Sequence, residues 1–350
     1  VSWRQPAEGV PQERVWMAYP VTGYSLGDTE SERDEARRTW AEVAHAIADH
    51  EPVTVLVDPG EIDHARRYLS SEITIVEAPL DDAWARDIGP TFVVDDESGR
   101  LGAIDWVFNG WGAAEWATWG KDQHIGKLIA ELSGAELITS PMINEGGGIQ
   151  VDGSGTVLLT ESVQLGQGRN SDWTAAQVEA ELARTIGTTT AIWLPYGLTR
   201  DNETFGTRGH VDIVAAIPTP GTVLVHEQTD PAHPDHAVSA EIMRVLADAR
   251  DAQGRAFDII GVPAPEGLTD SEGFVDHSYI NHLVINDAVI ACRFDDPRDD
   301  AAAAILADAY PGRAIVGIDA RPLFARGGGV HCITQQQPAV QSAKRVVPIP

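Results

Sequence analysis

The chain holds 350 residues, with 25 lysines and arginines against 53 aspartates and glutamates, a net charge of −28. Such an acidic surface argues against nucleic acid or an anionic membrane as partner. No apolar run approaches the roughly 20 residues that span a bilayer, and Val1–Pro11 carries no apolar signal-like stretch. Two cysteines rule out a disulfide framework, so a reducing, cytoplasmic setting is expected.

Helical and extended patterns alternate along the whole length, with no linker or low-complexity tract to mark a boundary. Runs rich in Ala, Glu and Leu predict helices over Ser31–His50, Glu61–Leu69, Asp122–Leu132, Thr174–Ile186, Asp235–Ala252 and Asp299–Ala309. Short apolar runs predict strands over Val53–Val57, Ile73–Val76, Ala191–Leu194, Asp258–Val262 and Ala314–Ile318. Between these lie segments that read as hairpins. Thr91–Val94 turns at Asp95–Gly99, and Ile149–Val151 turns at Asp152-Gly153-Ser154-Gly155 into Val157–Thr160. Val211–Ile217 turns at Pro218–Gly221 into Val223–His226, and His282–Ile285 turns at Asn286-Asp287 into Ala288–Ala291.

A polar residue in a special backbone context leads each hairpin: Asp87 before Gly89-Pro90, Glu145 before three glycines, His210 with Asp212, and Asn281. Cys332 opens a last extended run after Gly327-Gly328-Gly329. The recurrence suggests a weak repeat of hairpin, helix and strand. A ring of such units aims its leading residues at one central point.

Those residues suggest one chemistry. Cys332 is the only strong nucleophile type at a glycine-rich turn, and three glycines let a ligand approach closely. On an extended strand His210 and Asp212 point to the same face, so the carboxylate can orient an acid–base histidine. His331 is expected on the opposite face from Cys332, with a structural role. Arg86 beside Asp87 reads either as a surface ion pair or as part of a positioned turn. Trp106, Trp111, Trp116 and Trp119 read mostly as core, with one lining a pocket. No Cys-x-x-Cys or His-x-x-x-His pattern completes a metal site, and no metal or organic cofactor is expected. One cysteine, one histidine and several carboxylates suit a planar cationic electrophile. Carboxylates grip a guanidinium bidentately while a thiolate attacks its carbon.

The sequence resembles the agmatine deiminase family, which includes the bacterial peptidylarginine deiminases. The resemblance runs from Val15-Trp16-Met17-Ala18-Tyr19-Pro20 through Trp84-Ala85-Arg86-Asp87-Ile88-Gly89-Pro90, Phe108-Asn109-Gly110-Trp111-Gly112, and Glu145-Gly146-Gly147 with Val151-Asp152-Gly153. It continues through Gly209-His210-Val211-Asp212 to Gly328-Gly329-Val330-His331-Cys332-Ile333-Thr334-Gln335-Gln336. It implies the pentein fold, an α/β-propeller with five-fold pseudosymmetry, as a single catalytic domain over residues 1–350. It implies Cys332 as nucleophile, His210 as acid and base, Asp87 and Asp212 as the guanidinium clamp, and Glu145 as the group that orients His210. Trp84 would line the substrate channel, and Asn281 would touch the substrate or support the cysteine.

Two positions depart from the family pattern: Leu165-Gly166-Gln167-Gly168-Arg169-Asn170, where Leu-Asn-x-Asn-Arg-Asn is frequent, and Thr207-Arg208 ahead of Gly209. The expected activity is hydrolysis of agmatine to N-carbamoylputrescine and ammonia. A deiminase of free arginine or another carboxylate-bearing guanidine, or an amidinotransferase, stays open as the alternative. Arg208 would decide between the first two if, two residues from His210, it faced the substrate and gripped a carboxylate. The expected partner is a small cationic guanidino compound, and a homo-oligomer, dimer or tetramer, is compatible with the sequence.

Overall fold

Antiparallel hairpins, each followed by a helix and a third strand that returns parallel to the hairpin's second arm, recur along this chain. The computed structural model describes residues 2–21, 24–203, 205–267 and 269–340. The first unit pairs Thr91–Asp95 with Leu101–Val107, then runs through helix Ile125–Ser133 to strand Glu136–Ile143. The second pairs Ile149–Val151 with Thr156–Thr160, followed by helix Ala175–Ile186 and strand Thr190–Leu194. The third pairs Ala215–Thr219 with Thr222–Glu227, followed by helix Asp235–Asp248 and strand Asp258–Pro263. The fourth pairs Leu283–Val284 with Ala288–Arg293, followed by helix Asp299–Ala309 and strand Ala314–Asp319.

The fifth unit is assembled from both ends of the chain. Thr334–Pro338 pairs antiparallel with Gln12–Ala18, which then leads into helix Glu30–Ala48 and the parallel strands Val53–Val57 and Thr74–Glu77. That pairing closes the ring by joining an early and a late segment of the chain in one sheet.

Local chemistry explains where the helices begin and stop. Thr29 accepts a hydrogen bond from the Glu32 amide while the Glu32 carboxylate accepts from the Thr29 amide, and Thr174 with Gln177 repeats this capping box. Helix Ala175–Ile186 ends at Gly187 in the left-handed conformation, φ 71°, packed so tightly on the Trp3 carbonyl that no side chain fits. Strand Val53–Val57 is buried along its whole length, as its unbroken apolar run requires. No helix among the described residues is long and apolar enough to cross a membrane.

Two expectations from sequence change here. Val211–Ile217 is not one extended arm: Val211–Ile213 is a 3-10 turn, and the strand starts at Ala215. The returning strand Glu136–Ile143 has no counterpart among the strands expected from sequence, because Pro141 inside the run reads as a strand breaker. It is tolerated because this strand pairs only with Leu101–Val107.

Candidate active site

Each hairpin is preceded by a short lead-in, and the lead-ins meet in the middle of the ring. Asp87 lies on the single helical turn Ala85–Ile88, and Glu145 caps the 3-10 turn Gly146–Gly148. His210 and Asp212 flank the start of the turn Val211–Ile213, while Asn281 and Cys332 each stand two residues before their strands, Leu283–Val284 and Thr334–Pro338. All six are buried.

Gly147 marks the point where they converge. A Cβ placed on it would lie 2.6 Å from His210 Nδ1, 2.9 Å from Asp212 Oδ2 and 3.0 Å from Asp87 Oδ1. Three polar groups therefore surround a space that only a glycine leaves open. Asp87 is held by two donors, the Gly147 amide at 3.1 Å on Oδ1 and Trp111 Nε1 at 2.8 Å on Oδ2. Two buried atoms of these side chains, His210 Nδ1 and Asp212 Oδ1, have no hydrogen-bond partner among the described residues. Unspent hydrogen-bonding capacity in a buried position is costly unless a ligand completes it.

His210 is backed by a charged pair. Its Nε2 lies 3.3 Å from Glu145 Oε2, and Arg169 Nε donates to both Glu145 oxygens, at 3.0 and 2.9 Å. Arg169 Nη2 also reaches the Thr207 carbonyl at 2.8 Å. Burial opposes ionisation of Glu145, but Arg169 and His210 outweigh it and hold its pKa down to about 2. Burial likewise opposes a proton on His210, yet Asp87, Glu145 and Asp212 raise its pKa to about 9. The histidine therefore carries its second proton at neutral pH. Burial, with Asp212 and Glu145 beside it, pushes Asp87 up to about 6.

Cys332 meets the cluster from the other side. Its sulfur lies 3.2 Å from Asn281 Nδ2 and 3.8 Å from Asp212 Oδ2. Burial, then Asp212 and Asp87, push its thiol well above the ordinary range, against the Asn281 donor and the Gly329 backbone. A group with its titration so displaced by buried charge marks a functional site. The second cysteine has no such surroundings. Cys292 lies inside strand Ala288–Arg293, donates to the Asn281 carbonyl at 3.1 Å, and burial pushes it up to about 12.

Of the residues singled out in the sequence, the structure brings together Asp87, Glu145, His210, Asp212, Asn281 and Cys332. Trp84 joins them: a Cβ on Gly328 would lie 2.9 Å from both Cys332 Sγ and the Trp84 ring. Arg208 does not join. It has φ 73° and the following Gly209 has φ 107°, so the chain turns rather than extends before His210. The Arg208 guanidinium donates instead to the Gln167 carbonyl at 3.2 Å in an exposed position. His331 needs the opposite correction. Its side chain reaches Asp212 Oδ2, the same oxygen that faces Cys332, because residues 331 and 332 lie on a turn and alternation begins only at Thr334. Arg86 is buried and donates to the His331 carbonyl and Gln336, so it is not a surface ion pair.

Sequence reasoning missed three residues. Arg169 was visible as the arginine kept within the otherwise divergent 165–170 run. Trp111 lay unresolved among four tryptophans. Asp201, which accepts from the amides of Thr207, Gly209 and His210 and clamps the lead-in to the histidine, carried no signal.

A cavity of about 260 Å³ opens beside Gly327, next to the glycine that abuts Cys332. Tyr24 and Phe205, whose rings stack at 5.1 Å, line it together with Asp201, Glu203, Glu272 and Asp276. Arg200 also lines it, but its guanidinium is engaged by Asp270 and Glu272, each at 2.8 Å. A thiol, a protonated imidazole and paired carboxylates around a space with an acidic, aromatic mouth can bind and attack a flat cation.

Comparison with known proteins agrees with this geometry. The Porphyromonas-type peptidyl-arginine deiminase model matches residues 4–338. A Streptomyces coelicolor protein with a provisional agmatine deiminase name is 52% identical over 339 residues, covering 97% of this chain and 99% of its own. The agmatine deiminase of Pseudomonas fluorescens is 38% identical over 362 residues, covering 96% of each chain. The solved structure of the Enterococcus faecalis agmatine deiminase superposes with a TM-score of 0.89 at 31% identity, over 96% of each chain. By matched length and identity alike, the chain belongs to the agmatine deiminase family, within the Porphyromonas-type peptidyl-arginine deiminases.

Proposed function

We propose that the chain hydrolyses agmatine to N-carbamoylputrescine and ammonia, and that the residues around Gly147 and Cys332 carry the reaction. The observation that carries this reading is the convergence of His210, Asp87 and Asp212 on one small space with hydrogen-bonding capacity unspent. A guanidinium offers five N–H donors in a rigid plane, which is what two carboxylates at an angle accept.

In the empty site Cys332 is a neutral thiol, because burial, and then the Asp212 and Asp87 charges, disfavour a thiolate. A guanidinium between Asp87 and Asp212 cancels that charge, and the thiol proton leaves to bulk water, since His210 already carries its second proton. The thiolate then attacks the guanidinium carbon, and a tetrahedral adduct forms. His210, protonated and backed by Glu145 and Arg169, gives its proton to the departing nitrogen, and the C–N bond breaks to leave ammonia and a thiouronium on sulfur. The now neutral His210 takes a proton from water as the water attacks the same carbon. Collapse of this second adduct breaks the C–S bond and releases the ureido product. Asn281 Nδ2 steadies the sulfur whenever it carries charge.

The tail of the substrate is read from the mouth. A cavity lined by four carboxylates and two stacked aromatic rings favours an ammonium and disfavours a carboxylate. Arg208, spent on the Gln167 carbonyl, is not positioned to select arginine. We read the whole chain as one catalytic domain, since its lead-ins all contribute to one site. A cytoplasmic setting fits two unpaired cysteines.

Ammonia release from agmatine, arginine and a panel of other guanidines, without added amine, tests the reading and separates a hydrolase from an amidinotransferase. Cys332→Ser should lose at least about three orders of magnitude in kcat/KM, and a His210→Ala variant should show a covalent adduct on Cys332 by intact mass. Robust turnover by Cys332→Ser, or an adduct on Cys292, would overturn it. Arg208→Ala should leave the ratio of agmatine to arginine activity unchanged.

A further inference from the structure

His331 is buried with a carboxylate on each of its ring nitrogens. Nδ1 lies 2.8 Å from Asp212 Oδ2, and Nε2 lies 2.7 Å from Glu8 Oε1. A neutral imidazole carries one N–H and can donate to only one of these oxygens. With both carboxylates ionised, both contacts are hydrogen bonds only if the ring holds two protons. Glu8 belongs to the segment before strand Gln12–Ala18, so a residue near one end of the chain is wired to the residue beside Cys332 near the other.

The contact also sorts the two oxygens of Asp212. Oδ2 is taken by His331, faces the sulfur and borders the space at Gly147, whereas Oδ1 is buried with no hydrogen-bond partner among the described residues. We propose that Glu8 and His331 are positioning residues: a buried carboxylate–imidazolium–carboxylate chain pins Asp212 through Oδ2 and so fixes its carboxylate beside the sulfur and the space at Gly147. The proposal rests on the deiminase reading for its consequence in catalysis, but the protonation of His331 stands or falls independently.

The neighbours on every side set the balance of charge on the ring. Arg86 Nη1 lies 3.8 Å from Glu8 and its Nε donates to the His331 carbonyl, so it works against the proton on His331 and favours the Glu8 carboxylate. His282, on the adjoining lead-in, bonds to the Tyr279 carbonyl and the Tyr310 hydroxyl, and burial pushes it down to about 4, so it adds no charge. Burial disfavours ionised Glu8, but His331 and Arg86 hold it down to about 2. Burial and Arg86 disfavour the His331 cation, and Glu8 and Asp212 prevail, raising its pKa. On the far side of Asp212 stand His210, Asp87 and Cys332, the groups that meet the substrate.

The sign of the pH effect follows. A raised histidine keeps its proton below its pKa and loses it as pH climbs through that value. Removing the Glu8 charge lowers this pKa, so the proton is lost at lower pH and the alkaline limb of the rate profile moves down. The experiment compares wild type and Glu8→Gln by agmatine kcat/KM against pH and by imidazole ¹⁵N spectra, with the His331 signals identified by their absence in His331→Asn. Both ring nitrogens of His331 should be protonated in wild type at about pH 8, and one should be bare in Glu8→Gln. The variant should lose about tenfold in kcat/KM at about pH 8 but twofold or less at about pH 6, the scale of one pKa unit. A singly protonated His331 in wild type overturns the proposal, with or without a foldable variant. So does a loss that is the same at every pH, which is the mark of a merely structural role. If wild type releases no ammonia from agmatine, the deiminase reading fails, while the spectra still decide whether His331 is a cation.

Discussion

Asn281 holds Cys332 from both sides of its amide: Nδ2 donates to the sulfur at 3.2 Å, while Oδ1 accepts from the His331 amide at 3.1 Å and sits 3.4 Å from the Cys332 amide. The same side chain therefore fixes the backbone of the nucleophile and stabilises its charge. Asn281→Ala should lower kcat/KM about 10- to 100-fold, the scale of a lost 1.5–3 kcal/mol hydrogen bond to a charged group. Asn281→Asp should lose more, because a carboxylate beside the sulfur repels a thiolate. Alkylation of Cys332 by iodoacetamide across pH checks the cause, since its midpoint should move up in both variants and furthest in Asn281→Asp.

Gly147→Ala should cost at least about 100-fold in kcat/KM with a Tm within a few degrees of wild type. The backbone there lies outside the left-handed region, so alanine adds no backbone strain and its cost falls on the side chains around the space. The added methyl takes the space that His210, Asp87 and Asp212 enclose. An alanine variant that binds and turns over agmatine normally would show that the guanidinium sits elsewhere.

Arg169→Met should destabilise the fold by about 3–5 kcal/mol, because it leaves the Glu145 carboxylate buried with one partner fewer. Glu145 has a folded pKa depressed to about 2. Its contribution to stability is therefore present above the unfolded value near 4.3 and is lost as pH falls toward about 2. Urea unfolding of wild type between pH 5 and 2 should show that loss, and the slope should be shallower in Arg169→Met. Parallel curves for the two proteins would remove the pair from the account of acid stability.

Asp276 is the carboxylate of the mouth whose charge is least secure, pushed up to about 7 by burial and by Asp201. An ammonium docked there would ionise it. Asp276→Asn should raise KM for agmatine about fivefold to tenfold with kcat little changed, the pattern of lost uniform binding, and should leave arginine turnover as poor as before. Steady-state kinetics with both substrates, at pH values below and above 7, provide the check. An unchanged KM for agmatine would move the ammonium away from this cavity.

Much of this architecture was legible in the sequence because it is written in local chemistry. Asp299–Ala309 reads as a helix from composition, and Val53–Val57 reads as a buried strand from its unbroken apolar run. Asp87, Glu145 and Cys332 stand out because glycines beside them announce close packing. The errors of side-chain direction share one cause. Alternation along a strand was extended to residues that lie on turns, so His210 and Asp212 were aligned for the wrong reason and His331 was sent to the wrong face. Arg208 was misread in the same way, since two positive φ angles bend the chain before the histidine. A partner distant in sequence, such as Glu8 for His331, leaves no mark that a single chain reveals.

The pairing of Thr334–Pro338 with Gln12–Ala18 places the reactive sulfur at the seam where the two ends of the polypeptide are stitched together. Translation delivers Cys332 after every other lead-in to the site, and its neighbours come from throughout the chain, with Glu8 made long before it. A nascent or half-folded molecule therefore holds an ordinary, isolated thiol with nothing to aim it. Contacts this far apart in sequence form slowly, since loop closure must precede them. Competence for attack arrives last, as a property of the finished ring.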